Sequence, residues 1–161
     1  MKVSEHFTKR EFEKSGTALR LGIDNTIKDH EHIMNLSSLC ATVLEPIREK
    51  WGPMSISSGY RDSRVSEAVG SSSKSSHCFA MAADFECFQS PGNLTVFNWI
   101  IKESGISFDQ CIAEYFSLQE GVGEPFDGWI HISSQRDKSK NRNDILLAVK
   151  NNGKTAYERI S

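Results

Sequence analysis

Two strong metal-binding side chains, His77 and Asp84, lie seven positions apart in the middle of the chain. On one straight element they would not meet, because a helix would separate their Cα atoms by about 10 Å along its axis. A straight strand would place them about 23 Å apart on opposite faces. Ligands with metal bonds of about 2.0–2.2 Å must converge, so a shared ion requires the chain to turn back between them. The intervening small residues permit a tight return: Ala80, Ala82 and Ala83.

The pair by itself has a plainer explanation, a structural histidine beside a turn or capping aspartate. A third candidate ligand, His131, follows in Trp129-Ile130-His131, an apolar-flanked run typical of a strand. Alternation places Trp129 and His131 on one face of that strand. Three protein ligands with a fourth position left for water are typical of a catalytic zinc site. We therefore predict one zinc ion, bound by His77, Asp84 and His131.

Three motifs in order resemble the pattern of the zinc D-Ala-D-Ala carboxypeptidase family: Ser58-Gly59-Tyr60-Arg61, the segment 75–84, and Trp129-Ile130-His131. That family includes bacterial carboxypeptidases, phage L-Ala-D-Glu endolysins and vancomycin-resistance D,D-dipeptidases, and the Hedgehog signalling domain shares its fold. The likeness is strongest to the short phage-type branch and covers residues 7–133. It implies a zinc metallopeptidase that hydrolyses peptide bonds in peptidoglycan stem peptides, as an endopeptidase or as a carboxypeptidase.

The chain departs from the family pattern at two positions. Ala80 replaces a usual glycine, which costs about 1 kcal/mol or more if that position requires a positive φ. Ser66 stands where many relatives have asparagine, which leaves open the supporting role of that side chain.

A zinc peptidase also needs a carboxylate that accepts a proton from the attacking water and delivers it to the leaving amine. Several relatives carry an acid three residues before the second histidine, where this chain has Gly128. The remaining candidates are Glu114 and Asp127. Glu114 ends the strand-like segment 109–114, which resembles the D-Q-x-I-x-E segment of the phage-type branch, whereas Asp127 lies in a glycine-rich loop over residues 120–128. We favour Glu114 over Asp127, with an exposed strand-end acid as the alternative.

The resemblance implies that Arg61 holds a substrate carbonyl or carboxylate and steadies the developing oxyanion, a role suited to a guanidinium fork. Its alternative is a surface salt bridge. Ser75 either binds substrate, orients His77 or is a plain loop serine. Tyr60 and Trp129 are candidates for substrate contact, with packing as the alternative for both.

Apolar spacing and turn signals predict a single α+β domain over residues 1–161, with N-terminal helices packed on a mostly antiparallel sheet, as in the Hedgehog and D-Ala-D-Ala peptidase fold. A helical run begins at Asp29, is disturbed by Pro46 and closes at Gly52, and a second helix begins at Asn93. The predicted strands are residues 54–57, 84–88 and 108–114, the run around Trp129, and a hairpin of residues 145–149 and 155–160.

Composition limits the partners of the chain. It has 161 residues, 38% hydrophobic and 25% charged, a formal net charge of −2 and a pI near 6.2. These values give no general attraction to nucleic acid or anionic lipid, so we expect neither as a partner, and we expect a monomer. The four cysteines lack the paired spacing of a zinc knuckle and are expected to be free thiols: Cys40, Cys78, Cys87 and Cys111.

No long apolar stretch follows Met1, so we expect synthesis in the cytoplasm without a signal peptide. Action on the cell wall would then follow holin-type release or lysis, or delivery as part of a virion. Two other functions fit the same fold, an inactive zinc-binding module and a structural phage component. Arg61 and the two candidate bases favour the enzyme.

Overall fold

A sheet of six strands forms the frame of the protein, and the computed structural model describes residues 1–117 and 123–160. The predicted loop at residues 120–128 therefore lies partly outside the described residues. The order across the sheet is β1-β2-β4-β3-β5-β6, and neighbours are antiparallel except for the parallel pair β3 and β5. The strands are β1 (Ser55–Ser58), β2 (Ala82–Glu86), β3 (Gln110–Glu114), β4 (Trp129–Ser133), β5 (Asp144–Asn151) and β6 (Lys154–Arg159).

Short helices precede and interrupt these strands, which confirms the predicted α+β class. In the described ranges, the helices of 5–10 residues include none that is both long and apolar enough to cross a membrane. The α-helices are α1 (Lys9–Glu13), α2 (Gly16–Leu21), α3 (His30–Leu39), α4 (Glu45–Trp51), α5 (Ser63–Ala68) and α6 (Asn93–Lys102).

The helical run disturbed by Pro46 begins where the sequence predicts, with the Asp29 side chain accepting a hydrogen bond from the Glu31 amide. Proline inside a regular helix removes one hydrogen bond and clashes with the carbonyl four residues earlier. Here the π-helical turn Cys40–Leu44 joins α3 to α4 just before Pro46. The wider turn lets the helical path continue to Trp51.

One face of the sheet is apolar and packs on the helices. Alternation along β2 and β4 directs Phe85, Ile130 and Ile132 to this face, where all three are fully buried. They join one hydrophobic core with residues of α3, α4, α6 and the π-helical turn, including Leu36, Leu39, Val43, Ile47, Phe97 and Ile100. All four cysteines are buried and free, as predicted. The core therefore holds the sheet from one side only.

The opposite face of the sheet carries polar side chains. Asp84 on β2 pairs directly with His131 on β4, and Glu114 on β3 pairs with Trp129 on β4. Side chains of directly paired residues point to the same face of a sheet. The register therefore collects these four side chains on the face away from the helical core.

The chain reverses between His77 and Asp84 through the 3₁₀ turn Ser76–Phe79 and Ala80. Ala80 has the left-handed conformation, with φ 57° and ψ 33°, and its amide donates to the carbonyls of His77 and Ser76. This is the position where the related pattern has glycine, and a side chain there is strained. The tight return that the ligand spacing requires is thus made with an alanine in a glycine conformation.

Replacement of Ala80 by glycine should relieve this strain. The expected gain of about 1–2 kcal/mol offsets the lost methyl group, about 0.8 kcal/mol, and the larger entropy of unfolded glycine, about 0.5–1 kcal/mol. Ala83 is equally buried but lies in the ordinary strand β2. Ala80→Gly should therefore destabilise the protein by at least about 1 kcal/mol less than Ala83→Gly in urea unfolding. Equal losses in the two variants would contradict the strain.

Candidate metal centre and active site

Three side chains converge on the polar face of the sheet: His77 from the 3₁₀ turn, Asp84 from β2 and His131 from β4. One ligand atom of each lies within 4.8 Å of the other two. Nε2 of His77 is 3.3 Å from Oδ1 of Asp84, and Nδ1 of His131 is 2.9 Å from the same oxygen. The two ring nitrogens are 3.2 Å apart. The structure therefore brings together the predicted ligands into a compact triangle.

The dimensions of this triangle suit a tetrahedral ion. Ligands at about 2.0–2.2 Å from such an ion are about 3.3–3.6 Å from one another. The 3.3 Å separation between His77 and Asp84 lies in this range, and the other two, 3.2 Å and 2.9 Å, lie a few tenths of an ångström below it. Two imidazole nitrogens and one carboxylate oxygen are also ligand types that zinc accepts. The residues present therefore fit the predicted metal.

Gly59 fixes which nitrogen of His77 faces the cluster. Its carbonyl oxygen lies 2.6 Å from Nδ1 of His77, and a carbonyl only accepts, so Nδ1 carries the proton. Nε2 then presents a lone pair to Asp84 and His131, the usual arrangement around a ligating histidine. A side chain on Gly59 would meet the Phe12 backbone at 2.7 Å. The glycine of the Ser58-Gly59-Tyr60-Arg61 motif thus allows the close approach that places this carbonyl.

The electrostatic environment favours the protonation states that ligation needs. Burial lowers the pKa of His77, which keeps its imidazole neutral, even though Asp84 acts in the opposite direction. Burial alone would raise the pKa of the Asp84 carboxyl, but its electrostatic interactions with the His77 and His131 rings outweigh burial and hold the pKa well below its usual range. A neutral histidine and an ionised aspartate are the forms that bind metal.

Arg61 lies beside the cluster. Its Nη2 is 3.3 Å from Oδ2 of Asp84, the carboxylate oxygen that points away from the histidines, and its Nε donates to Ser58 Oγ at 3.0 Å. Its backbone amide donates to the His77 carbonyl at 3.1 Å. Among the described residues these side-chain contacts use two of the five guanidinium N–H groups, so donors remain for a substrate. The structure places Arg61 in the site and not in a surface salt bridge.

Glu114 lies on the same face as the cluster, two residues along the β3–β4 ladder from the pair Ile112 and His131. Only 9% of the residue is exposed, so it is not the exposed strand-end acid of the alternative explanation. Burial raises the pKa of Glu114 to about 7, despite the opposing charge of His131. A carboxyl group with a pKa near the working pH both accepts and donates protons effectively.

Asp127 takes part in its own loop. Its Oδ2 accepts a hydrogen bond from the Glu124 amide at 3.0 Å, and its backbone carbonyl accepts one from Asn93 Nδ2 at 3.2 Å. These contacts, within the described part of the chain, hold the approach to β4. The structure brings Glu114 to the face of the metal cluster and shows Asp127 engaged elsewhere.

Gly128 replaces the acid that several relatives carry before the second histidine. Its φ is +67°, and a Cβ added there would lie 1.8 Å from the carbonyl oxygen of Glu114. No side chain fits at that distance. The missing acid at position 128 therefore reflects a close backbone approach to the end of β3, which sequence spacing alone does not reveal.

The other predicted residues have separate positions. Ser75 Oγ accepts from the His77 amide at 3.4 Å, so it caps the turn that carries His77. Tyr60 is half-buried against the core, with its ring 5.8 Å from that of His32. The partly exposed ring of Trp129 lies on the site face, 5.4 Å from that of Tyr115. Trp129 is thus positioned as a wall of the site, whereas Tyr60 is positioned for packing.

Ser66, where relatives have asparagine, is fully buried and donates to the Ser72 carbonyl at 2.7 Å. This hydrogen bond closes the loop that leads to Ser75. The side chain supports the approach to His77 from a distance. The local sequence pattern does not reveal this role, because it does not show that the loop brings Ser72 back to Ser66.

The raised pKa of Glu114 gives a testable dependence of stability on pH in the metal-free protein. The folded state keeps a proton that the unfolded chain releases between pH 4.5 and about 7, so this group makes stability fall as pH rises through that window. Glu114→Gln removes the ionisation. Thermal unfolding in chelator should show the Tm of the variant, relative to the parent, increasing from pH 5 to pH 8. The exposed strand variant Glu158→Gln serves as control, and a flat difference for Glu114→Gln would contradict the buried carboxyl.

Comparison with known proteins identifies the family of the chain. A family model described as Peptidase M15 matches residues 5–133, which include the three candidate ligands, Arg61 and Glu114. Searches of curated proteins and of solved structures gave no match. The family match covers most of the chain and ends at the last residue of β4. The chain belongs to the M15 peptidase family.

Proposed function

We propose that this peptidase is a zinc enzyme that hydrolyses peptide bonds in peptidoglycan stem peptides. The observation that carries the proposal is the convergence of His77, Asp84 and His131 beside the buried carboxyl of Glu114. M15 peptidases are zinc-dependent in general, and the ligand triangle has the dimensions and donor types that zinc accepts. The peptidoglycan substrate rests on the resemblance of the motifs to enzymes that cut cell-wall peptides.

The residues divide the chemistry between them. Zinc, when bound, polarises a carbonyl group and makes water more acidic. Glu114 takes the proton from the attacking water on its carboxylate and delivers it to the nitrogen of the leaving amine. Its raised pKa suits both transfers near neutral pH, and burial keeps bulk water from competing for the proton.

Arg61 has two functions in this proposal. Through Nη2 it contacts Oδ2 of Asp84 and so orients the carboxylate ligand, as partners of ligating groups do. Its remaining donors hold the substrate carbonyl and stabilise the negative charge that develops there. Trp129 on the same face supplies an apolar wall for the peptide.

The alternative of an inactive binding module on this fold predicts no need for a proton carrier. Burial disfavours the ionised form of a carboxyl group, so a buried carboxyl lowers the stability of the fold at neutral pH. Glu114 is such a group, and it lies on the face of the candidate metal ligands. Such costly burial of a titratable group is a feature of functional sites. This observation favours the enzyme.

Mass spectrometry of digested muropeptides identifies the bond cut and separates endopeptidase from carboxypeptidase action.

Loss of any ligand should remove the metal. Elemental analysis of His77→Ala, Asp84→Ala and His131→Ala should show zinc well below one ion per chain, whereas the parent holds one. His30→Ala, which changes an exposed histidine at the start of α3, should retain zinc and activity. Full zinc occupancy with unchanged activity in His131→Ala would overturn the site.

Glu114→Gln should keep the fold and the zinc but lower kcat by about 10²–10⁴-fold, the usual effect of losing a general base. Asp127→Asn should cost much less, because its carboxylate holds the Glu124 amide. Both variants are compared on one peptidoglycan substrate with zinc content checked. The reverse ranking would transfer the proton carrier to Asp127, and activity near that of the parent in both would exclude both residues.

A further inference from the structure

The C-terminal hairpin of β5 and β6 lies outside residues 5–133, so the family match assigns it no role. The sheet nevertheless places it next to the site. β5 pairs with β3, opposing Ala148 to Glu114, and β6 pairs with β5, opposing Tyr157 to Ala148. Glu114, Ala148 and Tyr157 therefore form one row across three strands, with side chains on the same face.

Tyr115 contacts both the hairpin and a residue of the site, Trp129. It follows Glu114 with a φ of 60°, which is strained for an aromatic residue, and this turn brings its ring 5.4 Å from that of Trp129. Its hydroxyl is 2.6 Å from Oγ1 of Thr155 on β6, and the Lys150 ammonium on β5 lies 5.4 Å from its ring. Backbone strain of this kind persists where surrounding contacts impose it, often at functional sites.

Tyr157 extends the row beyond Glu114. It is 58% exposed, whereas Ala148, between Tyr157 and Glu114, is only 1% exposed. The near-complete burial of Ala148 shows that neighbouring side chains cover its methyl group, whereas much of the Tyr157 ring stays accessible. Partial burial, together with the charge of Glu114, raises the pKa of the Tyr157 phenol, which is therefore a hydrogen-bond donor at neutral pH. An aromatic ring with a donor hydroxyl binds both the apolar and the polar parts of a peptide.

Strand spacing gives the length of peptide that this row accommodates. Neighbouring strands are about 4.8 Å apart, so β6 lies about 14 Å from β4, which carries His131. An extended peptide advances about 3.3 Å per residue and covers that distance with about four residues. Arg61, which follows β1, lies on the other side of the ligand cluster. A peptide lying across the strands would thus contact Arg61 at one end and the hairpin at the other.

We propose that the C-terminal hairpin forms a substrate subsite in which Tyr157 donates a hydrogen bond to the backbone of the bound peptide, two to four residues from the bond that is cut. This inference rests on the proposed function. The ligand class is an extended oligopeptide held through its backbone carbonyls, and the subsite makes the enzyme prefer long stem peptides. The competing explanation is an exposed tyrosine that only supports the strand.

The test uses the full-length zinc-loaded protein and muropeptides from digested peptidoglycan. Tyr157→Phe keeps the ring and loses the donor, so its KM should rise about 2–10-fold, the usual effect of one neutral hydrogen bond, with kcat within about twofold of the parent. Tyr157→Ala should raise KM further. Glu158→Ala changes the opposite face of the same strand and should leave both constants unchanged. Binding of the same muropeptides to Glu114→Gln, with and without Tyr157→Phe, measures the contact without turnover.

The outcomes separate this inference from the proposed function. A parent that cuts muropeptides while both Tyr157 variants keep its KM would overturn the subsite and leave the peptidase function standing. An equal rise in KM in Glu158→Ala would also overturn it, because that result would reflect the stability of the strand. A parent that neither cuts nor binds muropeptides would overturn both proposals together. A rise in KM confined to the Tyr157 variants, with weaker binding in the Glu114→Gln background, supports the subsite.

Discussion

The pairing of Asp84 with His131 across β2 and β4 is the constraint on which the site depends. The two strands are held by the apolar residues that alternate with these ligands and pack on the helical core. A slip of one residue in this register would turn the ligands of one strand toward the core and its apolar residues toward the site. The same alternation therefore stabilises the fold and positions the candidate metal ligands Asp84 and His131. His77 joins them only because the left-handed residue Ala80 reverses the chain between turn and strand.

The site concentrates polar groups that are costly to bury. His77, Asp84 and Glu114 are all at most 9% exposed, and the first two both contact Nδ1 of His131, at 3.2 Å from Nε2 of His77 and 2.9 Å from Oδ1 of Asp84. Glu114 lacks such a partner among the described residues and shifts its pKa upward. When the buried, unpaired carboxyl group ionises, the free energy of unfolding falls. The apolar core on the opposite face of the sheet must offset this loss of stability. The proposed proton transfer near neutral pH and maximal stability thus place opposite demands on this residue.

Local patterns and the motif resemblance predicted the α+β class and singled out the three residues that converge, His77, Asp84 and His131. They predicted strain at Ala80 only on the condition of a positive φ, which the structure shows. Which residues lie beside these three could be learned only from the structure. The parallel pairing of β3 with β5 joins residues 34 positions apart, such as Gln110 and Asp144, and periodicity carries no information on which strands pair. For the same reason the position of Tyr157 beside Glu114 was not foreseen. The choice of Glu114 over Asp127 rested on motif likeness, and burial and hydrogen bonding now give it a physical basis.

The close contact between Gly128 and the Glu114 carbonyl makes two designs of the active site mutually exclusive. Where the backbone at the end of β3 lies against position 128, a carboxylate fits at Glu114 on β3. No carboxylate fits at position 128, just before β4. An acid cannot migrate between these positions by one substitution, because Gly128→Glu would separate the strands before it offered a second carboxylate. In this chain a carboxylate at position 128 would therefore require the end of β3 to be rebuilt at the same time, because the Glu114 carbonyl occupies the space of any side chain there.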